Sequence, residues 1–535
     1  MADCQPARVA LKIPRGHPRA GEIDYLALTF SELDAEVEAW SGRLAAAGVN
    51  RGDRTLVMVR QGLPLIASVF ALFRLGAVPI VIDPGMGLRS FLACVARSRP
   101  RALVGIPLAQ IISWIFRPSF RGVAVRVSAR RSLTARLTAV PSSGTRSPPA
   151  VATVPTAATD LAAILFTSGS TGAPKGVCYE HGMFDAQVRL IRDTYGIEPG
   201  EIDLPLLPIF ALFNPALGMT TIVPEIDPRR PAAVDAAKIV QAIRQENVTN
   251  SFGSPTLWQK IGAHCRQGRI TLPTLRRVLC AGAPVPAALW EDSRVFLTHG
   301  KLHSPYGATE SLPVASVSAD EIDATTFRGA CVGRAVREIE IKIIALTDAP
   351  IASLTAAHEL PPGEVGEIIV RGPVVTKTYD ALPEATAAAK IADGPAVWHR
   401  MGDCGYLDAD GRLWFCGRKA ERVETTGGTL YPEPCEQVFR AHALVSRCAL
   451  IGLGERGQQR SAIVVEIDLP DSRARRELAR ALRALALQHA HTTSIKTFYF
   501  RPRFPVDVRH NAKIHRRALA QWAVTAKGFE SDPKR

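Results

Sequence analysis

The sequence of 535 residues predicts an α/β protein with a large N-terminal domain and a small C-terminal α+β domain. The first observation is an alternation of helical and strand-like periodicity, which is typical of a parallel sheet covered by helices. The second is a change of pattern from about Gly363, where short alternating segments with turn glycines predict hairpins. A domain boundary is predicted close to Arg418, so the expected domains are 1–417 and 418–535.

The individual elements are predicted in chain order. Thr29 and Glu32 have the spacing of a capping box, which predicts a helix reaching about Gly48. The further predictions are strands at 55–59, 78–82, 248–252, 277–280, 363–370 and 411–415, and helices at 63–75, 233–246 and 473–489. Residues 128–156 are rich in Pro, Ser, Thr, Ala and Arg, which predicts a long connection.

Composition narrows the class of protein. The ten cysteines are scattered without a C-x-x-C pair, which indicates neither a zinc site nor a disulfide framework and favours a reducing cytoplasm. The first residues contain no apolar segment of the kind found in signal peptides. The uncharged stretch 102–116 is too short to span a membrane and predicts a buried or interfacial helix.

The net charge of +15 is distributed unevenly. Between Pro84 and Thr159 the chain has eleven arginines and no acidic residue. The favoured interpretation of this 84–159 segment is a solvated surface, and the alternative is a contact face for an anionic membrane or an acidic protein. Nucleic acid is not expected as a partner, because no nucleic-acid-binding motif accompanies the charge.

A segment rich in glycine and hydroxyl residues follows the predicted buried strand at 160–166. It reads TSGSTGAPKG over residues 167–176. Its glycines allow tight turns, its N–H and hydroxyl groups can surround an anion, and Lys175 adds positive charge. Counting from Gly169, Pro174 stands where a Walker loop needs its second glycine, and Gly176 follows the lysine. The segment therefore predicts a phosphate-binding loop of another kind, and a flexible linker is the weaker alternative.

Five separated motifs together resemble those of the adenylate-forming superfamily, which includes acyl-CoA synthetases, adenylation domains and luciferases. Their order between Thr29 and Leu519 is that of the family. The motifs are TSGSTGAPKG at 167–176, Gly282-Ala283-Pro284, Tyr306-Gly307-Ala308-Thr309-Glu310, Gly402-Asp403 with Gly417-Arg418, and Phe504-Pro505 followed by Lys513. The resemblance implies an AMP- and acyl-binding domain with a small β-barrel-like subdomain, followed by a mobile C-terminal lid.

The resemblance also implies roles for these residues in a reaction with ATP. Lys513 would bridge the substrate carboxylate and the α-phosphate, and Glu310, with Thr171, would hold Mg²⁺. Asp403 would accept hydrogen bonds from the ribose, and Tyr306 would stack on adenine. The implied catalytic set is Lys513, Glu310 and Thr309, and the implied ATP-binding set is Thr167, Ser168, Gly169, Ser170, Thr171, Gly172, Lys175, Gly282, Ala283, Pro284, Tyr306, Gly307, Ala308, Asp403 and Arg418.

Simpler interpretations exist for two of these features. Asp403 and Arg418 can be read as a plain surface ion pair, and Lys513 as one more charge in a basic tail. The agreement of all five motifs favours the functional interpretation.

Residues 177–228 are similar to a narrower group, the β-lactone synthetases of bacterial long-chain olefin biosynthesis. This resemblance implies a 2-alkyl-3-hydroxy long-chain fatty acid that is activated with ATP and closed by its own 3-hydroxyl without CoA. It also implies an α/β-hydrolase and a short-chain dehydrogenase of the same pathway as possible assembly partners. Met401 and Ala420 depart from the wider family's pattern at positions tied to domain rotation and thioester formation, which argues against CoA transfer. A long-chain acyl-CoA synthetase is the alternative enzyme, and a non-catalytic nucleotide- or lipid-binding scaffold is the third possibility.

The acyl site is expected where the family lines it, with Phe210, Phe213 and Gly253 in its wall and His181 close to the phosphate loop. Apolar residues in such a pattern are also typical of plain core. His181 is a candidate base for the 3-hydroxyl, and a histidine with a structural hydrogen bond at the start of a helix is the alternative.

Overall fold

The computed structural model describes residues 1–19, 21–129, 151–167, 173–226, 233–322, 327–506 and 514–530. Its strands are β1 Val9–Arg19, β2 Glu22–Thr29, β3 Arg54–Met58, β4 Val78–Ile82, β5 Ala102–Gly105, β6 Val125–Ser128, β7 Leu161–Thr167, β8 Lys175–Glu180, β9 Ile202–Asp203, β10 Thr220–Ile222, β11 Asn250–Gly253, β12 Arg277–Cys280, β13 Lys301–Ala308, β14 Ser311–Ser318, β15 Ala330–Ala335, β16 Glu340–Ile344, β17 Gly366–Arg371, β18 Lys390–Asp393, β19 Ala396–Leu407, β20 Leu413–Arg418, β21 Val423–Thr425, β22 Gly428–Leu430, β23 Cys448–Leu453, β24 Arg460–Glu466, β25 Thr497–Arg501 and β26 Phe529–Glu530. Its α-helices are α1 Phe30–Ala46, α2 Leu63–Arg74, α3 Leu88–Ser98, α4 Pro107–Ile115, α5 His181–Tyr195, α6 Asn214–Leu217, α7 Ala236–Gln245, α8 Pro255–Gly268, α9 Ala287–Phe296, α10 Pro383–Ala389, α11 Pro432–Arg440, α12 Ser472–Ala486 and α13 Arg516–Ala523.

A six-stranded sheet of order β6-β5-β3-β4-β7-β8 carries the phosphate-loop region. Its neighbours pair in parallel except for β7 and β8. Successive residues of β3 enter different cores, because strand side chains alternate between faces: Leu56 packs with α3, and Val57 packs with α1 and α2. Helices therefore cover both faces, as the alternating periodicity predicts.

A second, larger sheet runs from parallel to antiparallel pairing along its length. The strands β1, β10, β9, β11, β12 and β13 pair in parallel, and helices α7, α8 and α9 pack on this part. From β13 onwards the pairing is antiparallel through β14, β15, β20, β19, β17 and β16. The antiparallel strands, where the small β-subdomain was expected, continue the large sheet through the β14–β15 pairing.

The C-terminal part forms a four-stranded sheet, β23-β24-β25-β26, with α11, α12 and α13 around it. Its two buried clusters contain only residues from Val423 onwards. This region therefore packs a core of its own. The boundary at Arg418, the last residue of β20, stays a prediction.

Most local predictions are confirmed. Thr29 accepts a hydrogen bond from the Glu32 N–H while the Glu32 carboxylate accepts one from the Thr29 N–H, so the predicted capping box opens α1. The predicted helices at 63–75, 233–246 and 473–489 correspond to α2, α7 and α12. Residues 130–150 of the predicted long connection lie outside the described residues.

The prediction of a single helix at 102–116 is wrong. Its first residues form β5, fully buried in the six-stranded sheet, and the helix α4 begins only at Pro107. The proline has no N–H to donate and restricts the residue before it to extended conformations, so strand and helix separate at Ile106. In the described part of the chain, no helix is both long and apolar enough to cross a membrane.

A buried ion-pair network joins the antiparallel strands to the start of the C-terminal part. Glu367 on β17 accepts hydrogen bonds from Arg400 on β19 and from Lys419, which directly follows β20. The side chains of Glu367 and Arg400 are only 1% and 3% exposed. Arg400 therefore depends on the Glu367 carboxylate, because little solvent is available to it, while the partly buried Lys419 also lies 3.9 Å from Asp348.

We expect Glu367→Gln to lower the free energy of unfolding by about 3 kcal/mol, because it leaves the buried Arg400 without a counter-charge and removes one of the two carboxylates near Lys419. Urea unfolding of the purified protein measures the change. The matched control is Glu338→Gln, which breaks the exposed Arg189–Glu338 pair and should cost less than about 1 kcal/mol. Equal losses of unfolding free energy in the two variants would show that the buried network contributes no more to stability than an exposed ion pair.

Candidate active site

The sequence motifs meet around one cavity of about 1460 Å³, which exceeds the usual size of a site for a drug-sized ligand. Gly282, Ala283 and Pro284 follow the carboxyl end of β12, and Tyr306 to Glu310 lie at the end of β13 and just beyond it. Parallel strands place their carboxyl ends on one edge, where ligands bind in sheets of this type. This is why motifs that are distant in sequence line the same wall.

Asp403, Arg418 and Tyr306 form one polar end of the cavity. Asp403 and Arg418 are register partners on β19 and β20, and their side chains form an ion pair of 2.8 Å. The Tyr306 hydroxyl donates to Oδ2 of Asp403 at 2.7 Å. Burial raises the pKa of Asp403, while Arg418 opposes that rise.

The Oδ1 atom of Asp403 is the part of this group without a hydrogen bond from a described residue. It is buried, and among the described residues it has no hydrogen-bond donor, although Nη1 of Arg418 lies 2.8 Å away. This contact is an ion pair without hydrogen-bond geometry, so Oδ1 keeps an unfilled acceptor position. A buried acceptor without a donor is costly, and a donor group of a bound ligand would satisfy it.

Glu310 lines the same cavity, and the segment 376–379 holds both its side chain and its main chain. Its Oε1 accepts a hydrogen bond of 2.7 Å from the Tyr379 hydroxyl. Its main-chain carbonyl accepts from both the N–H and the hydroxyl of Thr376, at 2.9 and 3.1 Å. Thr309 is also in the cavity wall, and its carbonyl accepts from the Tyr179 hydroxyl. The carboxylate is thus oriented into the cavity by groups from other elements.

Two lysines flank the ring of Tyr379. Nζ of Lys175 lies 4.7 Å from the ring centroid, and Nζ of Lys390 lies 5.9 Å from it. Lys390 donates to the carbonyl and the hydroxyl of Thr376, so it supports the segment that holds Glu310. Burial lowers the pKa of Lys390 to about 7; the positive charge of Lys175 adds to this, and Glu310 opposes it.

Backbone geometry explains two of the glycines. Gly307 lies so close to the next strand that a Cβ there would stand 2.6 Å from the Ser311 carbonyl oxygen. Gly282 has a φ of 100°, which side chains rarely allow. Both positions let the main chain line the cavity directly.

Several predicted residues fall outside the described part of the chain. These are Ser168, Gly169, Ser170, Thr171, Gly172 and Lys513. The backbone of Thr167 is described and pairs with Lys175 across β7 and β8. Ile514, the residue after Lys513, lines the cavity.

The other arm of the cavity is apolar. Phe210 stacks on Phe252 at 3.6 Å between ring centroids, and Phe213 lies next to Phe210. His181 opens α5, and its ring meets Phe73 edge to face at 5.7 Å. The apolar residues of this arm include Val69, Phe70, Phe73, Ile106, Leu108, Ile112, Phe184, Phe210, Leu212, Phe213 and Phe252.

Gly253 is the one predicted acyl-site residue that the structure does not place in this wall. A Cβ on Gly253 would meet Trp258 at 2.8 Å and Leu206 at 3.0 Å, so this position faces the packed core. Its neighbour Phe252 lines the cavity instead. The reason is strand alternation: adjacent residues of β11 point to opposite faces.

The motifs did not indicate Tyr379 or Lys390 as part of the site. Tyr379 reaches Glu310 across 69 residues, and no local spacing reveals such a contact. Lys390 carried a weak signal, because it is the only charge in the otherwise uncharged stretch ATAAAKIA from Ala385 to Ala392.

Comparison with known proteins identifies the class. Residues 2–380 match the family model described as AMP-binding enzyme, and the chain therefore belongs to this family of adenylate-forming enzymes. The amide bond synthetase McbA from Marinactinospora thermotolerans has the same fold, with a TM-score of 0.76, 23% identity and coverage of 96% of this chain and 97% of its own.

Sequence relatives narrow the similarity further. The olefin β-lactone synthetase of Stenotrophomonas maltophilia is 44% identical over 97% of this chain and 96% of its own length. The feruloyl-CoA synthase of an Amycolatopsis species is more distant, with 30% identity over 86% of this chain and 88% of its own length.

We expect Tyr379→Phe to lower the rate of ATP–pyrophosphate exchange by about tenfold to a hundredfold, because the Glu310 carboxylate loses a charge-assisted hydrogen bond. The Mg²⁺ concentration for half-maximal exchange should rise at the same time. Tyr406→Phe is the matched control, since this buried tyrosine packs on Trp414 on the antiparallel strands. An unchanged Mg²⁺ requirement in Tyr379→Phe would show that the bond does not orient Glu310.

We expect Lys390→Met to change the pH dependence of stability. The folded protein releases this proton near pH 7 and the unfolded chain near 10.4, so the unfolded state binds more protons between these values. The wild-type free energy of unfolding should therefore rise relative to the variant by up to about 1.4 kcal/mol per pH unit from pH 7 to 9. Below pH 7 Lys390 is charged in both the folded and the unfolded state. The difference in unfolding free energy between wild type and variant should then no longer change with pH.

Urea unfolding at several pH values measures this difference, with the exposed Lys496→Met as control. The charged or titratable groups that act on Lys390 are Glu310, Lys175 and His399. Burial lowers the pKa of His399 far below its usual value, so this histidine does not titrate in the chosen window. Parallel curves for wild type and Lys390→Met would refute the prediction.

Proposed function

We propose that the protein activates a 2-alkyl-3-hydroxy long-chain fatty acid with ATP and closes the acyl-adenylate to a β-lactone. The observation that carries this proposal is the single cavity that joins the polar end at Asp403, Arg418 and Glu310 to a long apolar arm. The 44% identity to an olefin β-lactone synthetase over nearly the whole chain supports the same reaction.

In the first step, a carboxylate oxygen of the acid attacks the α-phosphorus of ATP, and pyrophosphate leaves. Asp403 and Arg418 would hold the ribose, and Tyr306, with Gly282 to Pro284, would line the adenine site. Lys175 lies on the same cavity wall, and Lys513 would stabilise the charge that develops on the α-phosphate. Fixed cations matter here because phosphoryl-transfer catalysis depends mainly on positioning and electrostatics.

Magnesium fits the donor set on this wall. Glu310 presents a carboxylate oriented by Tyr379, and Thr171 is its proposed partner. Groups of three or more His, Cys, Asp or Glu side chains able to hold a metal are absent from the described residues. Mg²⁺ bound with a nucleotide needs only one or two protein carboxylates, because phosphate oxygens and water complete its octahedron. When bound, it would neutralise charge on the phosphate oxygens.

In the second step, the 3-hydroxyl oxygen attacks the acyl carbon, the hydroxyl proton is lost, and AMP leaves as the four-membered ring closes. The nucleophile belongs to the same molecule, so proximity replaces the binding of a second substrate. The apolar arm would fold the chain and exclude water, which would otherwise hydrolyse the adenylate.

His181 is the candidate for accepting the hydroxyl proton. Its ring stands in the cavity wall, and burial lowers its pKa, which keeps the imidazole neutral and able to accept a proton near pH 7. Its main-chain N–H donates to Asp160, which fixes the start of α5 but leaves the ring to the cavity.

The expected partners are an α/β-hydrolase and a short-chain dehydrogenase, which the resemblance to the olefin pathway implies. The resemblance alone supports them, and they stay a prediction. CoA-dependent acyl transfer is the alternative activity, since a feruloyl-CoA synthase is a more distant relative.

We expect ATP, Mg²⁺ and a synthetic 2-alkyl-3-hydroxy acid to give AMP, pyrophosphate and a neutral β-lactone with or without CoA. Mass spectrometry of the product separates the lactone from a thioester. The matched substrate is the same acid without its 3-hydroxyl, which should form an adenylate but no lactone because the nucleophile is missing. A thioester formed only with CoA would replace the proposal by the acyl-CoA synthetase alternative.

A further inference from the structure

The helix α4 has an unusual distribution of side chains. Its outward residues are large and apolar: Leu108, Ile111, Trp114 and Ile115 are 58%, 55%, 60% and 66% exposed. The spacing of 108, 111 and 115 places them on one stripe of the helix. A helix on the surface of a globular protein normally turns polar residues outward, and exposed apolar patches mark interaction sites.

The inner face of α4 is anchored by small residues. Ala109 is fully buried against Gly105, where even a Cβ would lie only 2.7 Å from the Ala109 methyl. Gln110 donates to the Val127 carbonyl at 3.1 Å, and Ser113 is also buried. The helix is therefore held near the edge of the six-stranded sheet by its small residues, and this packing leaves its large side chains pointing outward.

Positive charge borders this apolar stripe. The Arg117 guanidinium lies 4.7 Å above the Trp114 ring, and Arg121 is exposed four residues later. Neither arginine forms an ion pair with a described residue. They belong to the 84–159 segment, which contains no acidic residue. An apolar face with a tryptophan and a basic border matches the chemistry of an anionic bilayer surface.

The same helix reaches the substrate cavity. Leu108 and Ile112 line it, and Leu108 is also exposed, so α4 stands between the apolar arm and the outside. A long-chain acid partitions into a bilayer rather than into water, because its apolar chain is excluded from water. A mouth placed at the bilayer surface would let the chain enter without crossing water.

We propose that α4, with Arg117 and Arg121, is a docking surface for an anionic phospholipid bilayer and places the mouth of the cavity at the membrane. The docking depends only on the exposed helix and its charges. The entry route for the substrate rests in addition on the proposed function.

Sedimentation with large unilamellar vesicles tests the docking, using phosphatidylcholine alone and with about 30% phosphatidylglycerol. We expect the full-length protein to bind the anionic vesicles and to lose that binding at high salt. Ile111→Gln, Trp114→Gln and Ile115→Gln together should lower the partition coefficient at least about tenfold, because three interfacial anchors are lost. Arg117→Gln with Arg121→Gln should lower it about tenfold on anionic vesicles and leave neutral vesicles unaffected.

Matched controls remove equally exposed groups elsewhere. Val295→Gln, Leu444→Gln and Val524→Gln together replace three other exposed apolar residues, and Arg476→Gln with Arg480→Gln replaces two other exposed arginines. Both controls should bind vesicles like the wild type. Thermal unfolding verifies that each variant is folded, as expected for surface substitutions.

A spectroscopic readout is available because Trp114 is the only exposed residue among the seven tryptophans. Its fluorescence should shift to shorter wavelength with anionic vesicles, and Trp114→Phe should lose the shift while the binding persists.

The proposal is overturned if the wild type does not bind anionic vesicles. It is also overturned if the α4 variant, which carries Ile111→Gln, Trp114→Gln and Ile115→Gln, binds as tightly as the control with Val295→Gln, Leu444→Gln and Val524→Gln. It is equally overturned if the stripe instead joins two copies of the chain or holds a protein partner without any lipid binding. Failure of the proposed function is distinguishable: vesicle binding would persist while no lactone forms. The entry route predicts that the α4 variant loses rate only with long-chain acid presented in vesicles, and not with a short acid in solution.

Discussion

The pairing of Asp403 with Arg418 is the contact on which the site and the junction of the chain both depend. The two residues are neighbours on β19 and β20, so the antiparallel register itself brings the charges together. Tyr306 reaches Asp403 from β13, across 97 residues, and ties the parallel part of the sheet to the antiparallel part. Arg418 is the last residue of β20, so the same ion pair stands where the chain leaves the sheet. Burying a carboxylate is costly, and this arrangement compensates the cost with one cation and one hydroxyl while leaving Oδ1 able to accept.

The cavity combines a charged polar end with a long apolar arm. Its polar end gathers charges that neighbouring elements orient, and its apolar arm is built from rings and aliphatic side chains of several helices and strands. The carboxyl ends of the strands bring the polar groups to one edge, because β12 and β13 run in parallel. The apolar arm then continues under α2 and α4 and ends at a helix whose outer face is itself apolar. A single fold thus offers charge at one end of the cavity and an apolar surface at the other.

Periodicity and short motifs predicted a large part of this structure. The capping box at Thr29 predicted α1, because its two hydrogen bonds involve only residues three positions apart. The motifs predicted that Tyr306, Asp403 and Arg418 belong together, which their contacts confirm. Tyr379 and Lys390 could not be predicted in this way, since their contacts depend on how distant elements pack. Gly253 was placed in the acyl wall, although the alternation of β11 turns it to the core.

The sequence by itself determined the class of protein, the order of many of the elements and which motifs line the cavity. The elements follow from local rules, such as capping and strand alternation, which need no knowledge of the distant chain, whereas the class follows from the resemblance of five separated motifs to those of a known family. Only the tertiary structure decided that Lys390 lies buried beside Glu310, and that stretch 102–116 is a strand followed by a helix with its apolar face outward. The physical reason is that burial and exposure depend on the neighbours that folding supplies. The same isoleucine or lysine is core, surface or site according to what packs against it.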